Sequence, residues 1–381
     1  MNDWDKFESS SELREKIWSK NRSYFRDVMY RFFKKKLALL GMILIVLLLG
    51  FAFLGPLYSP YSYDKQSLEY SNLPPTINAT YIDNGWYFIT ANLKIVKLTE
   101  DGTLLKTLPL QSEDPFKKTM EFDDEGTAIA INYRTKPAAF IIDGEIAQDL
   151  TQKKIWLKDY RLGTDALGRD MLTRSMYGTR VSLIVAFIAT LVNMTIGIIY
   201  GGISAFAGGT VDSIMMRIVD IINTIPLTLY VILIMVVLDS GFLSIIIALS
   251  SVYWVNMARV VRGQIFSLKN NDFVLAARSI GSSSSVILFK HLLPNAMGPI
   301  LVTATMLVPS AIFIEAFMSF IGLGIAPPMA SLGTMCNDAL QTLRSTPHQL
   351  FIPSILICLI MFAFNFVGDG LRDALDPKLK K

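Results

Sequence analysis

Histidine and cysteine, two residue types that often carry catalysis or hold metals, are rare in this 381-residue chain. It contains two histidines, His291 and His348, and two cysteines, Cys336 and Cys358. Their spacing offers no ordinary set of metal ligands. We place Cys336 in a connection outside the membrane and Cys358 within a membrane span, so we expect no disulfide between them. The sequence therefore predicts no metal centre.

Sequence motifs of common enzymes are absent from the chain. It has no G-x-x-x-x-G-K-[ST] loop for nucleotide phosphates, no H-E-x-x-H and no G-x-S-x-G. Gly322-Leu-Gly324 lacks the third glycine, the strand and the helix of a dinucleotide site. We therefore predict a protein without catalytic residues or a cofactor of its own, and with no nucleic acid partner.

One carboxylate, Glu315, lies in a long apolar stretch. An unpaired carboxylate in hydrocarbon costs several kcal/mol, so Glu315 must face the protein interior, a partner subunit or water. It could line a path for a solute, or make a structural hydrogen bond between helices. Asn223, in another apolar stretch, is a second candidate for such a path, with a structural contact as its alternative.

The composition is typical of a membrane protein. Hydrophobic residues make up 52% of the chain and charged residues 18%, and the mean hydropathy is +0.42. About 20 apolar residues cross a bilayer core. Six segments satisfy this requirement, and they predict an all-α polytopic membrane protein with six transmembrane helices: Leu37–Leu57, Val181–Phe206, Ile214–Leu238, Phe242–Met257, Ala296–Ile321 and Leu350–Val367.

Basic residues predict the orientation. They are concentrated before the first span, in the interval 258–294 and in the tail 372–381. An even number of crossings places all three on one side, and the positive-inside rule makes that side the cytoplasm. Both termini are then cytoplasmic, in the cell (plasma or inner) membrane. Four arginines are an exception, which we accept because long translocated segments count little in this rule: Arg161, Arg169, Arg174 and Arg180.

The N-terminal segment 1–36 is predicted to stay in the cytosol, because its apolar stretch starts too late for a cleavable signal peptide. Phe25, Val28, Met29 and Phe32 share one helical face. This pattern favours an interfacial helix that contacts lipid of the inner leaflet. The alternative is a simple cytosolic tail.

Residues 58–160 differ in character from the rest of the chain. Strand-like runs occur at Trp86–Ala91, Lys94–Leu98, Thr103–Leu108, Thr127–Tyr133 and Ala138–Ile142. Asp101-Gly102 and Asp143-Gly144 have the composition of tight hairpin turns. We predict an extracellular β-rich insert between the first and second transmembrane helices. It could contact a substrate-capturing protein, or it could merely pack on the outer face.

The interval 258–294 separates two predicted spans, yet it carries apolar residues at helical spacing. Phe273, Ala276, Ala277 and Ile280 form one face, after which Gly281 and four serines break the pattern. The apolar spacing then resumes and ends at Pro294. Two short amphipathic helices joined by a flexible corner predict a docking platform for a soluble partner.

This interval resembles the coupling-helix signature of ABC-type import permeases, which reads Glu-Ala-Ala, three residues, Gly, nine residues, Ile and a Leu-Pro end. Ala276 and Ala277, Gly281 and the pair Leu293-Pro294 occupy the matching places, whereas Leu275 replaces the glutamate. The stretches from Leu162 to Arg174 and from Phe364 to Pro377 resemble the oligopeptide/dipeptide/nickel branch. The resemblance covers roughly residues 161–377 and the first span, 37–57.

The resemblance implies a type I ABC importer permease fold, with residues 161–371 as a core of five transmembrane helices. It also implies partners: a second, homologous permease in a heterodimer, two cytosolic ATPase subunits that bind ATP and Mg²⁺, and an extracellular substrate-binding protein. Peptides are the expected cargo, with nickel or another small solute as the alternative. Contacts with the ATPase are expected at Ala276, Ala277, Gly281, His291, Leu293 and Pro294.

Two proteins of other classes fit parts of the pattern. A secondary transporter would need no docking platform and would carry more ionisable groups in its spans. A membrane-anchored sensor would use the β-rich insert to bind a ligand, but six spans exceed what an anchor needs.

Overall fold

A computed structural model describes residues 24–375 apart from 84, 136, 143–144 and 148–149. Helices long and apolar enough to cross a membrane are α2 (Lys36–Leu57), α3 (Met171–Ala207), α6 (Phe242–Leu268), α8 (Ser284–Phe320) and α10 (His348–Leu375). The remaining helices are α1 (Tyr24–Lys34), α4 (Gly209–Thr224), α5 (Leu227–Leu238), α7 (Asp272–Ser279) and α9 (Leu332–Ala339). The predicted helical membrane architecture is confirmed, with the third predicted span as the exception.

That third span, predicted as one helix over Ile214–Leu238, is a pair of helices. α4 and α5 pass the hydropathy test together but are bent by 83° at a short break. Ile225 is extended there, with φ −79° and ψ 127°, because the ring of Pro226 disfavours helical geometry in the preceding residue. The described residues therefore contain five membrane-crossing helices, or six if the bent pair crosses as one.

Several helices continue beyond the apolar segments that predicted them. α3 starts at Met171, where the Asp170 side chain accepts a hydrogen bond of 2.7 Å from the Thr173 N–H and so caps the helix. Its 37 residues span about 55 Å, well beyond the roughly 30 Å of a hydrocarbon core. α6 likewise runs on to Leu268, so both helices project past the membrane.

α3 and α6 approach each other closely over two glycines that lie one helical turn apart. A Cβ on Gly197 would lie 2.5 Å from the Met257 Cβ, and one on Gly201 would lie 2.3 Å from the Ala258 carbonyl oxygen. Small residues four apart let two membrane helices bring their backbones together. Any larger side chain at Gly201 would force the helices apart.

α1 packs on the end of α10. Val28 and Phe32 are each 4% exposed and form a cluster with Ala38 and Ala374. These two residues of the predicted lipid-facing side are therefore covered by protein, which differs from the interfacial interpretation. The side chain of Phe25 and all residues before Tyr24 lie outside the part of the chain that the structure describes.

The β-rich insert consists of two five-stranded antiparallel sheets. Their orders are β10-β1-β2-β3-β4 and β5-β6-β7-β8-β9. The strands are β1 (Thr76–Ile82), β2 (Gly85–Ile89), β3 (Ile95–Leu98), β4 (Leu104–Thr107), β5 (Leu110–Asp114), β6 (Thr119–Asp124), β7 (Thr127–Asn132), β8 (Ala139–Ile142), β9 (Glu145–Ile146) and β10 (Gln152–Trp156).

The five predicted runs coincide with β2, β3, β4, β7 and β8, and Asp101-Gly102 lies in the turn between β3 and β4. The other predicted turn, Asp143-Gly144, falls outside the described residues. The predicted runs did not include β1, β5, β6, β9 and β10. Of these, β5 and β10 are mostly polar and exposed. They pair through backbone groups, which leave no hydrophobic pattern in the sequence.

A buried carboxylate joins the two sheets of the insert. Asp124, at the end of β6, accepts hydrogen bonds from Tyr87 and Lys97 at 2.5 and 2.7 Å, and it pairs with Lys106 at 2.7 Å. Burial alone would raise the pKa of the Asp124 carboxyl, but the bonds from Lys106, Lys97 and Tyr87 outweigh burial and hold that pKa well below its usual range. The charged form therefore fastens one sheet to the other.

The insert is anchored to the helical part at its base. The Gln349 side-chain amide at the start of α10 donates to the Thr164 carbonyl at 2.8 Å and to Asn72 Oδ1 at 3.0 Å. Gly168 has φ +72°, and a Cβ there would lie 1.8 Å from the Ser67 carbonyl oxygen. Only glycine fits that position, so the chain leading into α3 is closely fitted to the start of the insert.

The contact between α3 and α6 yields a prediction about assembly. Gly201→Leu should prevent the two helices from closing, because the added side chain has no room beside Ala258. We expect a loss of folded, monodisperse protein in detergent size-exclusion chromatography. The adjacent Gly202→Ala is the control, since its Cβ would meet only Leu288 at an ordinary 3.6 Å. Equal yields and equal melting temperatures for the two variants would contradict this account of the packing.

Candidate functional site

α7 lies between α6 and α8, at the end of the helices opposite the insert. Asp272 occupies its first turn and Arg278 its last turn, as favours the helix dipole. Val274 is fully buried and Ala277 is 4% exposed, and both belong to the main core cluster with Ile287, Leu288 and Leu292 of α8. α7 is thus fixed by one face to the helix that follows it.

The corner after α7 depends on Gly281. Its φ is +80°, a conformation that side-chain-bearing residues rarely adopt. The Gly281 N–H donates to the Arg278 carbonyl at 2.9 Å, and the Ser282 N–H donates to the Ala277 carbonyl at 3.1 Å. These bonds satisfy the last carbonyls of α7 and turn the chain towards α8. The predicted corner is therefore present.

The segment does not end at Pro294, as the sequence had predicted. Helix α8 begins at Ser284 and runs through Pro294 to Phe320 without a break. A π-helical stretch over Ile287–Leu292 comes just before the proline, and the Leu293 N–H donates to the Leu288 carbonyl, five residues back. This wider turn accommodates the missing N–H of Pro294 within a helix. Only Ile280 to Ser283 separate the two helices.

The predicted contact residues lie in different environments. Ala276 and Pro294 are exposed, His291 is half-buried, and Leu293 is 8% exposed. Ala277 faces the core of its own chain, so a bulky residue there would disturb this subunit before it met a partner. Large apolar side chains that face outwards on α7, the corner and the start of α8 are Phe273, Leu275, Ile280, Val286 and Phe289. We call these five residues the apolar platform.

Sequence reasoning anticipated the apolar platform except for Leu275. It grouped Phe273 and Ile280 on one face, which the structure exposes by 37% and 83%, and it placed Val286 and Phe289 in the apolar spacing that resumes after the serines. It treated Leu275 only as a substitution for a glutamate, yet Leu275 is 50% exposed beside them. Outward-facing apolar side chains beyond the end of a span are unusual unless something covers them. The whole corner is therefore a suitable docking surface.

Charged contacts hold the end of α6 to the end of α3 and the start of α4, close to this site. Arg262 donates to both carboxylate oxygens of Asp212, at 2.6 and 2.5 Å, and Ser204 donates to Asp212 at 2.5 Å. The Lys269 ammonium donates to the Ala205 carbonyl at 3.1 Å. The end of α6 that leads into α7 is therefore rigidly attached to α3.

Glu315 is fully buried inside the chain. Ser182 of α3 donates to one of its carboxylate oxygens at 2.7 Å, and Ser319 donates to the other at 2.9 Å. Both oxygens are satisfied by this subunit itself, and the carboxylate links α8 to α3. Asn223, by contrast, is exposed in the last turn of α4, just before the bend at Pro226. The structure does not bring these two residues into one site.

A second polar cluster lies at the insert end of the helices, and sequence reasoning missed it. Asp165 accepts from Arg169 Nε at 2.6 Å and lies 3.3 Å from Arg174 Nε. Both arginines also reach one oxygen of Asp338 on α9, at 3.3 and 3.2 Å. Asp165 and both arginines come from the stretch between Leu162 and Arg174, which had served only as a family resemblance. Asp338 carried no signal in the sequence, because its partners are more than 160 residues away.

Internal contacts account for three of the four arginines that were exceptions to the predicted orientation. Arg169 and Arg174 are buried and ion-paired, with side chains 8% and 3% exposed. Arg180 donates to the Ala52 and Phe53 carbonyls at the end of α2, at 3.1 and 3.2 Å. Each of these cations serves an internal contact, so none acts as a free charge beside a lipid headgroup.

Comparison with known sequences identifies two families. One described as "Binding-protein-dependent transport system inner membrane component" matches residues 193–381, and one described as "N-terminal TM domain of oligopeptide transport permease C" matches residues 23–75. A methionine ABC transporter structure aligns with 54% of this chain and 98% of its own, at 18% identity and a TM-score of 0.46.

Three curated relatives align along almost the whole chain. The oligopeptide transport system permease protein OppC of Bacillus subtilis is 40% identical over 367 residues, covering 96% of this chain and 94% of the relative. The dipeptide permease DppC of the same organism is 38% identical, covering 94% and 87%. DppC of Lactococcus lactis is 36% identical, covering 97% and 94%. With this similarity and the membrane-spanning helices described above, the chain belongs to the family of inner membrane permease components of binding-protein-dependent ABC transport systems.

Proposed function

We propose that this chain forms one half of the membrane pore of an ATP-driven importer of oligopeptides or dipeptides. The names of the three full-length relatives support peptides as cargo. The structural observation that carries the proposal is the apolar platform at the corner between two membrane helices. Nickel or another small solute is the alternative cargo within the same branch of the family.

The apolar platform suits an ATPase subunit as its occupant. An apolar patch on a short helix fits a groove on a soluble partner. The family is described as the inner membrane component of binding-protein-dependent transport systems, so soluble partner subunits are expected. ATP and Mg²⁺ would be bound by two such ATPase subunits. A second, homologous permease would complete the pore, and an extracellular binding protein would deliver the cargo.

The contacts of α7 suggest how ATPase motion reaches the membrane. Val274 and Ala277 pack on α8. Lys269 and Arg262 attach the preceding helix to the end of α3 and the start of α4. A displacement of α7 must therefore move three long helices together, since close-packed contacts do not stretch. Alternating access would follow as the two halves of the pore rock against each other.

The orientation we propose places the apolar platform, the N-terminus and the C-terminus in the cytoplasm. The interval 258–294 and the tail 372–381 supply the basic residues that support this side. The insert is then extracellular, where it could meet the binding protein. The positive-inside rule disfavours arginines on the extracellular side. This objection is weaker here, because Arg169 and Arg174 are buried in ion pairs and Arg180 bonds carbonyls at the end of α2.

Gly281 offers the sharpest test of the coupling role. We expect Gly281→Val to leave the chain inserted but to weaken ATPase binding at least tenfold and to abolish peptide uptake. The strain is confined to the backbone, because no atom lies within 4 Å of the position a Cβ would take. Co-purification of the ATPase and uptake by reconstituted vesicles measure the effect.

Gly281→Asn is the matched control, because asparagine tolerates a positive φ better than other residues with a side chain. We expect it to retain most of the uptake. Leu275→Ala should also be mild, since it removes one of five apolar contacts. Normal docking and normal uptake with Gly281→Val, at normal expression, would contradict a coupling role for this corner.

Glu315 and Asn223 stay candidates for the translocation path, and Glu315→Gln separates the two roles of the carboxylate. Glutamine can still bond Ser182 and Ser319, so a structural role predicts near-normal assembly and uptake. A charge that faces the path in another state of the cycle predicts normal assembly with uptake reduced at least tenfold. Loss of the assembled complex with Glu315→Gln would instead assign a structural role to the negative charge itself and would exclude the path-lining role.

A further inference from the structure

A cavity of about 610 Å³ opens beside the second polar cluster, which consists of Asp165, Arg169, Arg174 and Asp338. It lies between the start of α3 and the connection from α8 to α9. Its wall includes Arg169, Arg174, Asp338, Asn337, Ser319 and Asp64. It is large enough for several atoms of a peptide backbone. The charged groups on its wall are two guanidiniums and two carboxylates, so the described wall is balanced in charge.

The two arginines are held in place from behind. Asp165 is buried, with a side chain 6% exposed, and one of its oxygens lies 2.6 Å from Arg169 Nε and 3.3 Å from Arg174 Nε. Its other oxygen accepts the Arg169 and Leu167 backbone N–H groups, each at 2.9 Å. This arrangement orients both guanidiniums without using all of their donors.

Asp338 holds the arginines much more loosely from the front. A single oxygen of Asp338 serves both guanidiniums at 3.3 and 3.2 Å, which is long for a charge-assisted bond. The Asp338 side chain is 45% exposed, whereas the arginine side chains are 8% and 3% exposed. Asp338 is thus a replaceable partner on a fixed pair of cations.

Arg174 also has unused donor capacity. Its Nη1 is buried and has no hydrogen-bond partner, and a buried donor left unpaired is costly. A carboxylate with two free oxygens could bond both guanidiniums in the forked geometry that arginine favours. Asp338, tethered to α9, supplies only one oxygen.

We propose that the C-terminal carboxylate of a peptide cargo displaces Asp338 and binds the guanidiniums of Arg169 and Arg174. This proposal rests on the peptide import proposed above and names the site at which the cargo is recognised. A peptide with neutral side chains carries one carboxylate and one ammonium, which matches the balanced wall, and the exposed Asp64 is the carboxylate that remains for the ammonium. A simple anion would pair with the guanidiniums but would leave the wall carboxylates without a positive partner.

Displacement of Asp338 also has a mechanical consequence. Asp338 lies on α9, and its two ion pairs join α9 to the start of α3. A cargo carboxylate that takes its place releases α9 from α3 at the outer end. Arrival of the peptide is thereby coupled to movement of the connection between α8 and α10.

The test compares uptake of one neutral tripeptide as the free acid and as its C-terminal amide. The full transport complex in proteoliposomes is supplied with the same binding protein throughout. Any preference of the binding protein then cancels when variants are compared. The amide also reports whether each variant is folded and active.

Two variants should shift the uptake in opposite directions. Asp338→Asn removes the competing charge, so the apparent KM for the free acid should fall at least threefold while that for the amide stays unchanged. Arg174→Gln should lower the ratio of free-acid to amide kcat/KM about tenfold, the size expected for a lost charge-assisted bond. Arg161→Gln, an exposed arginine outside the cluster, should change neither value.

Equal changes for the two peptides in both variants, or no change in either, would overturn the carboxylate site while leaving peptide import intact. Failure of the wild-type complex to take up either peptide would overturn the proposed function and the carboxylate site with it. A loss of amide uptake with Arg174→Gln marks misfolding, and the sign of the Asp338→Asn effect then decides. Inhibition of wild-type uptake by acetate as strong as that by the free peptide acid would reduce the site to a general anion site and would also contradict the proposal.

Discussion

The close contact between α3 and α6 is the constraint on which the rest of this permease depends. Gly197 and Gly201 bring the two backbones together at Met257 and Ala258, so these helices move as one body. The end of α6 that projects beyond the contact is held to the turn after α3 by Arg262 and Lys269, and it leads directly into α7. Without this contact, a displacement of α7 and α6 would not carry α3 with it.

Polar side chains reinforce the same helix pairs at different depths. Glu315 and Ser182 join α8 to α3 near the insert end, and Asp338 joins α9 to α3 beyond it. The bonds differ in strength. Glu315 is fully buried and both of its carboxylate oxygens accept hydrogen bonds. The Asp338 side chain is half-exposed, and only one of its oxygens contacts the arginines, at 3.2 to 3.3 Å. A fully enclosed contact and a half-exposed one therefore act on the same long helix.

The sequence revealed those features that rest on local pattern. Apolar runs marked the spans, and Gly281 marked a real corner, because glycine adopts a positive φ more readily than residues with a side chain. The prediction that the segment ends at Pro294 was wrong, because a π-helical turn before the proline keeps it within α8. Such a turn depends on helix geometry and not on composition. Ala277 and the pair Val28 and Phe32 looked like partner or lipid contacts but are covered by other helices of the same chain. The cluster around Asp338 joins residues more than 160 positions apart, and no local pattern could have shown it.

The central claim is that the corner at Gly281 docks an ATPase on the side of the membrane opposite the insert. Single cysteines at Ile280, which is 83% exposed, and at Leu105 of the insert, which is 55% exposed, test it directly. In intact cells that make the whole complex, a short bifunctional reagent should cross-link Ile280→Cys to the ATPase subunit and leave Leu105→Cys unlinked to it. A membrane-impermeant thiol reagent should label only Leu105→Cys. Labelling of both positions from outside, or no ATPase cross-link at Ile280→Cys in an active complex, would contradict the account.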